Sequence, residues 1–207
     1  ADQIRAVPGR RSELTYRRNG VERMVYGRPR SLSIEPDDVA DPYWKLVTAQ
    51  FKLAEVQSYG SNVNTVSINQ ITSTVGTGLV LAATLPWTLL SSSDSRNGVV
   101  TMNSAVPASF EVEITGPTTG SASNIKVWSS DWALWFGVTL NPGDIFKYDT
   151  ATGLATKNGY TVPANLQGTS TARAKMTPGS NEVIITSSDT SNTIAAAIRW
   201  RDVYASI

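Results

Sequence analysis

Few residues in this chain are equipped for covalent chemistry, and those that are sit in patterns with plainer explanations. Glu111 and Glu113 fall on one face of a strand, roughly 7 Å apart by strand geometry. A glycosidase needs two carboxylates facing each other across a cleft from different elements. Glutamates alternating with Phe110, Val112 and Ile114 therefore read as a solvated strand face. Ser123-Asn124-Ile125-Lys126 has the S-x-x-K spacing of acyl-serine enzymes, whose chemistry needs a helix to set lysine one turn along from serine. Here Val127 and Trp128 follow in a loop entering a strand, and the companion K-T-G and S-D-N motifs are absent. Gly76-Thr77-Gly78 lacks the third glycine and following helix of a phosphate-binding loop, and reads as a loop or bulge. The chain holds no histidine and no cysteine, which removes the commonest general base, thiolate nucleophiles, disulfides and the usual zinc ligands. A hydrolase would have to use Asp131, Asp144 or the Glu111/Glu113 pair. The expectation is a protein that is not an enzyme, with no cofactor and no metal.

Non-covalent recognition is better supplied. Among six tryptophans, Trp128, Trp132 and Trp135 would share one face of a helix, but a period-two pattern turns Trp132 inward and Trp135 outward. An outward tryptophan on a sheet stacks a sugar ring or packs at a subunit interface, where Trp and Tyr are enriched. Packing is the favoured reading. A carbohydrate-binding module, with Trp128, Trp135 and Tyr160 exposed beside polar groups, is the alternative. Residues 1–30 hold eight arginines against Asp2, Glu13 and Glu22, a local charge of +5 that the remainder offsets with −4. With Tyr16 and Tyr26 interleaved, this stretch suits phosphate binding or arginine–carboxylate pairs between subunits. The cluster Glu35, Asp37, Asp38 and Asp41 offers such partners, and nucleic-acid recognition is not expected.

These groups must be carried by strands. Thr15–Val25 reads as two strands around Asn19-Gly20, a strong hairpin signal, and Gly27-Arg28-Pro29-Arg30 then breaks the pattern. Pro36-Asp37-Asp38 and Asp41-Pro42 mark loops. Val47, Ala49, Phe51 and Leu53 alternate with polar neighbours as a half-buried strand; a helix through Trp44–Val56 is the alternative. Phe110–Ile114 is a strand stopped by Gly116-Pro117. Trp132, Leu134, Phe136, Val138 and Leu140 form the longest alternating run, ended by the turn Asn141-Pro142-Gly143-Asp144. Ile145–Asp149 follows, then a second Asn-Gly turn at Asn158-Gly159, and Glu182–Thr186 and Thr193–Trp200 close the set. Strands at this spacing predict an all-β chain with an antiparallel sandwich.

At 207 residues, 41% hydrophobic and 17% charged, the chain is long and apolar enough to bury a core. No charged residue occurs from Val56 to Ser93, which suits strands packed against neighbouring subunits or lying under other loops. A composition change at Tyr59-Gly60 predicts a basic N-terminal β segment over 1–59 and a sandwich over 60–207. Ala1–Asn19 lacks the apolar centre of a signal peptide, and Gly78–Leu90, interrupted by Pro86, is too short to span a bilayer.

Several segments, taken in order, resemble one family. Val25-Tyr26-Gly27-Arg28-Pro29-Arg30, then the apolar strand with Ala49 and Phe51, then Tyr59, look like the end of the ring-forming domain of siphophage distal tail proteins. Phe110–Ile114 with Gly116-Pro117 is similar to the family's I-x-G-P strand end. The series Leu140-Asn141-Pro142-Gly143-Asp144, Tyr148-Asp149-Thr150, Asn158-Gly159, Met176-Thr177-Pro178-Gly179-Ser180-Asn181 and Ile198–Tyr204 resembles its C-terminal galectin-like sandwich, as in the minor tail proteins of phages of actinobacteria. The resemblance covers 25–60 and 100–207. It implies a galectin-like β-sandwich preceded by a short β-rich remnant of the ring-forming domain. It also implies a structural hub at the virion tail tip: a hexameric ring contacting the tail tube protein, the tape-measure protein and the tail-tip hub proteins. Arg28 and Arg30, in the family motif, are the expected interface residues.

Overall fold

Apolar–polar alternation produces strands throughout a computed structural model of the chain, which describes residues 12–18, 20–34, 47–53, 57–68, 70–71, 95–188 and 193–205. In chain order the strands are β1 Ser12–Arg18, β2 Val21–Ile34, β3 Val47–Leu53, β4 Ser58–Gly60, β5 Asn64–Ile68, β6 Gln70–Ile71, β7 Ser95–Met102 and β8 Phe110–Thr115. They continue with β9 Ile125–Trp128, β10 Ala133–Phe136, β11 Ile145–Asp149, β12 Ala155–Lys157, β13 Tyr160–Val162, β14 Gly179–Thr186, β15 Ala195–Trp200 and β16 Val203–Tyr204. All pairings among the described residues are antiparallel. No described helix is long and apolar enough to cross a membrane. The chain is all-β, as its periodicity predicts.

The chain divides into two compact units, Ala1–Asn62 with Asp202–Ile207, and Val63–Arg201. The division on the chain thus lies just beyond Tyr59-Gly60. The last residues, read from sequence as the end of the sandwich, belong with the first unit, because Val203 and Tyr204 pair with Tyr59 and Ser58.

The first unit is built on β2, which pairs β1 on its first half, β3 on its second, and β4 at Arg23 and Met24. Here the sequence expectation needs correction: β2 does not break at Gly27-Arg28-Pro29-Arg30 but runs on to Ile34. A side chain at Gly27 would collide with the Lys52 carbonyl and the Phe51 ring, so glycine lets β3 close in. The proline is absorbed by a β-bulge: Pro29 pairs Phe51, Ser31 pairs Gln50, and Arg30 is the extra residue between them. The Trp44–Val56 helix alternative gives way to β3 over Val47–Leu53.

The second unit is the sandwich. One sheet runs β10-β9-β14-β7-β6 and the other β13-β12-β11-β8-β15-β5. Inward residues of both sheets fill the core: Val127, Leu134, Phe136, Val183 and Ile185 from one, Val112, Ile114, Phe146, Tyr148 and Ile198 from the other. Phe136 ties the two layers together, edge-on to Phe146 (5.1 Å) and Tyr148 (5.4 Å). At one corner β5 and β6 carry the chain from one sheet to the other, and β7 fits against them because Gly98 has no side chain to strike Ile68. The alternating run 132–140 is shorter as a strand than its pattern suggests. β10 ends at Phe136, where Gly137 turns its N–H to the Asn165 carbonyl, and Leu140 instead bridges Ala122.

The turn residues singled out in the sequence act as clamps. Asp144 accepts from the Asn141 amide (2.8 Å) and the Asn158 side chain (2.7 Å), and its carboxylate lies 2.8 Å from Lys157 Nζ. These donors, Lys157 foremost, lower its pKa from 3.8 to about 2. Asn158 and Gly159 both adopt positive φ, as a two-residue hairpin turn requires. Thr150, buried, bonds both the amide and the carbonyl of Phe110. Buried Asn181 donates to the Thr177 and Gly179 carbonyls and so holds the Pro178-Gly179 turn. The Tyr148 hydroxyl donates to the Ala172 carbonyl at 2.7 Å, and burial pushes its pKa up.

Candidate interaction surfaces

The carboxylates that a hydrolase would need are already engaged, and the two glutamates belong to the outer face of the β8 sheet. Because Val112 and Ile114 point into the core, Glu111 and Glu113 must point out, beside Lys147 of β11 and Arg199 of β15. Lys147 Nζ lies 2.7 Å from Glu113, and Arg199 bridges Glu113 at 3.0 Å and Glu111 at 3.8 Å. Asp144 is held in its turn clamp, and Asp131 is exposed and accepts from Ser130 Oγ. Among the described residues no cluster of acidic side chains is arranged to hold a metal. Ser123 does not face Lys126 along a helix. Asn124 between them takes φ 49°, Ser123 Oγ pairs with Ser188 Oγ at 2.8 Å, and Lys126 lies on β9 over the Trp128 ring. Gly76-Thr77-Gly78 and most of the uncharged 56–93 stretch lie outside the described residues.

The outer face of the opposite sheet is different in kind. Burial of Val127, Leu134 and Ile185 turns Lys126, Trp128, Trp135, Ile184 and Val99 outward, with Asn97 and Glu182 beside them. Trp135 pairs across from Lys126, and Trp128 from Ala133 and Ile184, so the two indoles are diagonal neighbours. Trp135 is 38% exposed and Val99 57%; Trp128 and Ile184 are half-buried. Lys126 Nζ stands 5.5 Å from the Trp128 ring centroid. The free edge of β10 is covered by the loop that follows β13. Gln167 donates to the Trp135 carbonyl, the Trp135 amide donates to Ser170 Oγ, and the Trp135 ring lies where a side chain at Gly168 would be. Tyr160 is 78% exposed, but on edge strand β13 of the other sheet, so the structure unites two of the three aromatic candidates and leaves the third apart. Sequence reasoning passed over Val99 and Ile184, and met Lys126 only within a serine–lysine motif. The signal available was its place opposite an outward tryptophan, which needs the β9–β10 register.

In the first unit Arg28 and Arg30 are both exposed on β2, and Arg17 is exposed on β1. Arg23 is engaged internally, 3.4 Å over the Tyr204 ring, and Tyr26 meets Tyr59 edge-on at 5.2 Å. The acidic cluster Glu35, Asp37, Asp38 and Asp41 lies outside the described residues.

Among the described residues, these features define a two-unit, all-β protein in which Glu111, Glu113 and Asp144 are tied into ion pairs and a turn, and the open surfaces are strands. No protein-family model matches the chain, and no curated protein does. A solved structure that does match is the Dit protein of SPP1, described as a paradigm of the hub adsorption apparatus in Gram-positive infecting phages. The superposition has a TM-score of 0.54 at 13% identity, covering 87% of this chain and 60% of that one. At this identity the likeness is one of fold, and the chain spans 60% of the length of the Dit protein.

Proposed function

We propose that this protein is a structural component of a phage tail tip, of the distal-tail kind, working through subunit and partner interfaces and not as an enzyme. One observation carries the reading: the fold likeness to the SPP1 Dit protein extends over 87% of the chain, too much for the sandwich alone to account for. In this role the first unit contributes to a closed ring of six copies in the virion, joining the tail tube to tip or host-recognition proteins. A ring is built from repeated heterologous contacts that close by symmetry. Arg28 and Arg30 are the side chains assigned to such a contact: both are exposed, and Arg30 is the extra residue of the bulge in β2. Arginine suits the place because its planar fork pairs with carboxylates in two-point geometry. The engagement of Glu111, Glu113 and Asp144 by cations supports a non-catalytic role.

Native mass measurement with negative-stain electron microscopy tests the proposal. Closed six-fold rings are expected, with the Arg28→Ala, Arg30→Ala double variant shifting the population to monomer while leaving the melting temperature in place. A chain that stays monomeric at every accessible concentration, and associates with no tail tube or tape-measure protein, overturns it.

A further inference from the structure

We propose that the outer face of the β10-β9-β14-β7-β6 sheet binds a neutral oligosaccharide of at least two pyranose units, through Trp135 and Trp128 with Lys126 between them. This goes beyond the ring proposal and does not depend on it. Four observations favour that ligand class. First, the two indoles lie diagonally on adjacent strands, about 7–8 Å apart at Cα by strand geometry, so both belong to one patch, with Lys126 Nζ 5.5 Å from the Trp128 ring centroid. Second, hydrogen-bonding groups are interleaved with the apolar ones. Lys126 pairs across from Trp135, Thr186 from Lys126, and Asn97 donates to Glu182 at 3.1 Å beside Ile184 and Val99. A pyranose has this same division, with C–H bonds on its face and hydroxyls around its rim. Third, the described side chains of the face combine one cation, Lys126, with one anion, Glu182, which matches an uncharged ligand. Fourth, the strand that carries Trp135 is held in advance, because the Trp135 backbone amide donates to Ser170 Oγ, its carbonyl accepts from the Gln167 amide, and Gly168 lets the loop after β13 lie close to its ring. A preformed surface spends less binding energy on ordering.

Area argues against a second protein on this face. Trp135, Trp128, Ile184 and Val99 together expose on the order of 200–300 Å² of apolar surface. A stable protein interface takes about 800 Å² from each partner, a little over half of it apolar, which is more apolar surface than these four side chains expose.

The test uses the full chain and three probes, chitotetraose, cellotetraose and maltotetraose, each at millimolar concentration, followed by the indole N–H signals in two-dimensional NMR. At least one probe is expected to shift the Trp128 and Trp135 signals while leaving those of buried Trp132 and Trp200 in place. Trp135→Ala is expected to weaken that binding about tenfold or more, and Lys126→Met to weaken it by a smaller factor. Trp135→Phe, which keeps an aromatic ring, should retain part of the affinity, and Tyr160→Ala, on the other sheet, all of it. Melting curves for each variant separate loss of a contact from loss of the fold. The assignment is overturned if no probe moves the two signals, or if Trp135→Ala, still folded, binds as well as the original. Movement of both signals on raising the protein concentration alone would give the face to a second copy, and overturns it equally.

Discussion

The two outer faces of the sandwich have the same architecture and opposite chemistry. On the β8 sheet, Glu113 meets Lys147 and Arg199, and Glu111 shares Arg199, so the charges answer one another across three adjacent strands. On the β9 sheet the corresponding positions hold Trp135, Trp128, Ile184 and Val99, and the one described cation lies over an indole. On the outer face of the β8 sheet the charges are paired among themselves, and Ile145, 41% exposed, is the large apolar side chain left open there among the described residues. A face that leaves aromatic and aliphatic surface exposed is stable only because the core beneath it is, and it has surface left for a ligand. Where a sheet's outer residues are mutually satisfied, function should be sought elsewhere.

This contrast can be broken or sharpened experimentally. Phe136→Ala removes the ring that joins both layers and should cost about 3–5 kcal/mol, read from urea denaturation. If both faces belong to one cooperative unit, amide protection on the two sheets falls together; loss on one sheet alone would split the comparison at its root.

Asp144→Asn acts at the end of the charged sheet and should cost about 1–3 kcal/mol at neutral pH, since it disturbs charge-assisted bonds from Asn141, Asn158 and Lys157. Its pH dependence has a definite sign. The folded pKa of about 2 lies below the ordinary 3.8, so the contribution is complete above about 3.8 and is lost as pH falls through about 2. Acid titration of stability should therefore bring the variant and the original together at the acid end, and a constant gap would refute the assignment.

Glu113→Gln should cost only about 0.5–1 kcal/mol, because the ion pairs are partly exposed, and the difference should shrink in high salt. It should leave any binding at Trp135 unchanged; a loss there would mean that the two faces communicate. Val99→Ser is expected to change stability by no more than about 0.5 kcal/mol, since the side chain is 57% exposed. A larger loss would mean that the aromatic face is covered in the isolated chain.

The sequence by itself determined what depends on near neighbours along the chain. Alternation at Phe110–Ile114 and Trp132–Phe136 decided which side chains turn inward, because successive residues of a strand point to opposite faces. Asn158-Gly159 and Asn141-Pro142-Gly143-Asp144 decided turns, because φ is set by the sterics of one or two residues. The expected roles of Glu111 and Glu113 as an outward pair and of Trp135 as an outward indole were legible for the same reason. Only the tertiary structure decided what each outward residue meets. Lys126 answers Trp135 because of the β9–β10 register, Arg199 reaches Glu113 from a strand late in the chain, and Val203 and Tyr204 return to the sheet begun by β1 and β2. It also ended β10 at Phe136 and carried β2 through Pro29, where a loop and a bulge met backbone demands that no local pattern records. Cross-strand partners are chosen by the burial of two faces at once, and that choice is made between segments far apart in sequence.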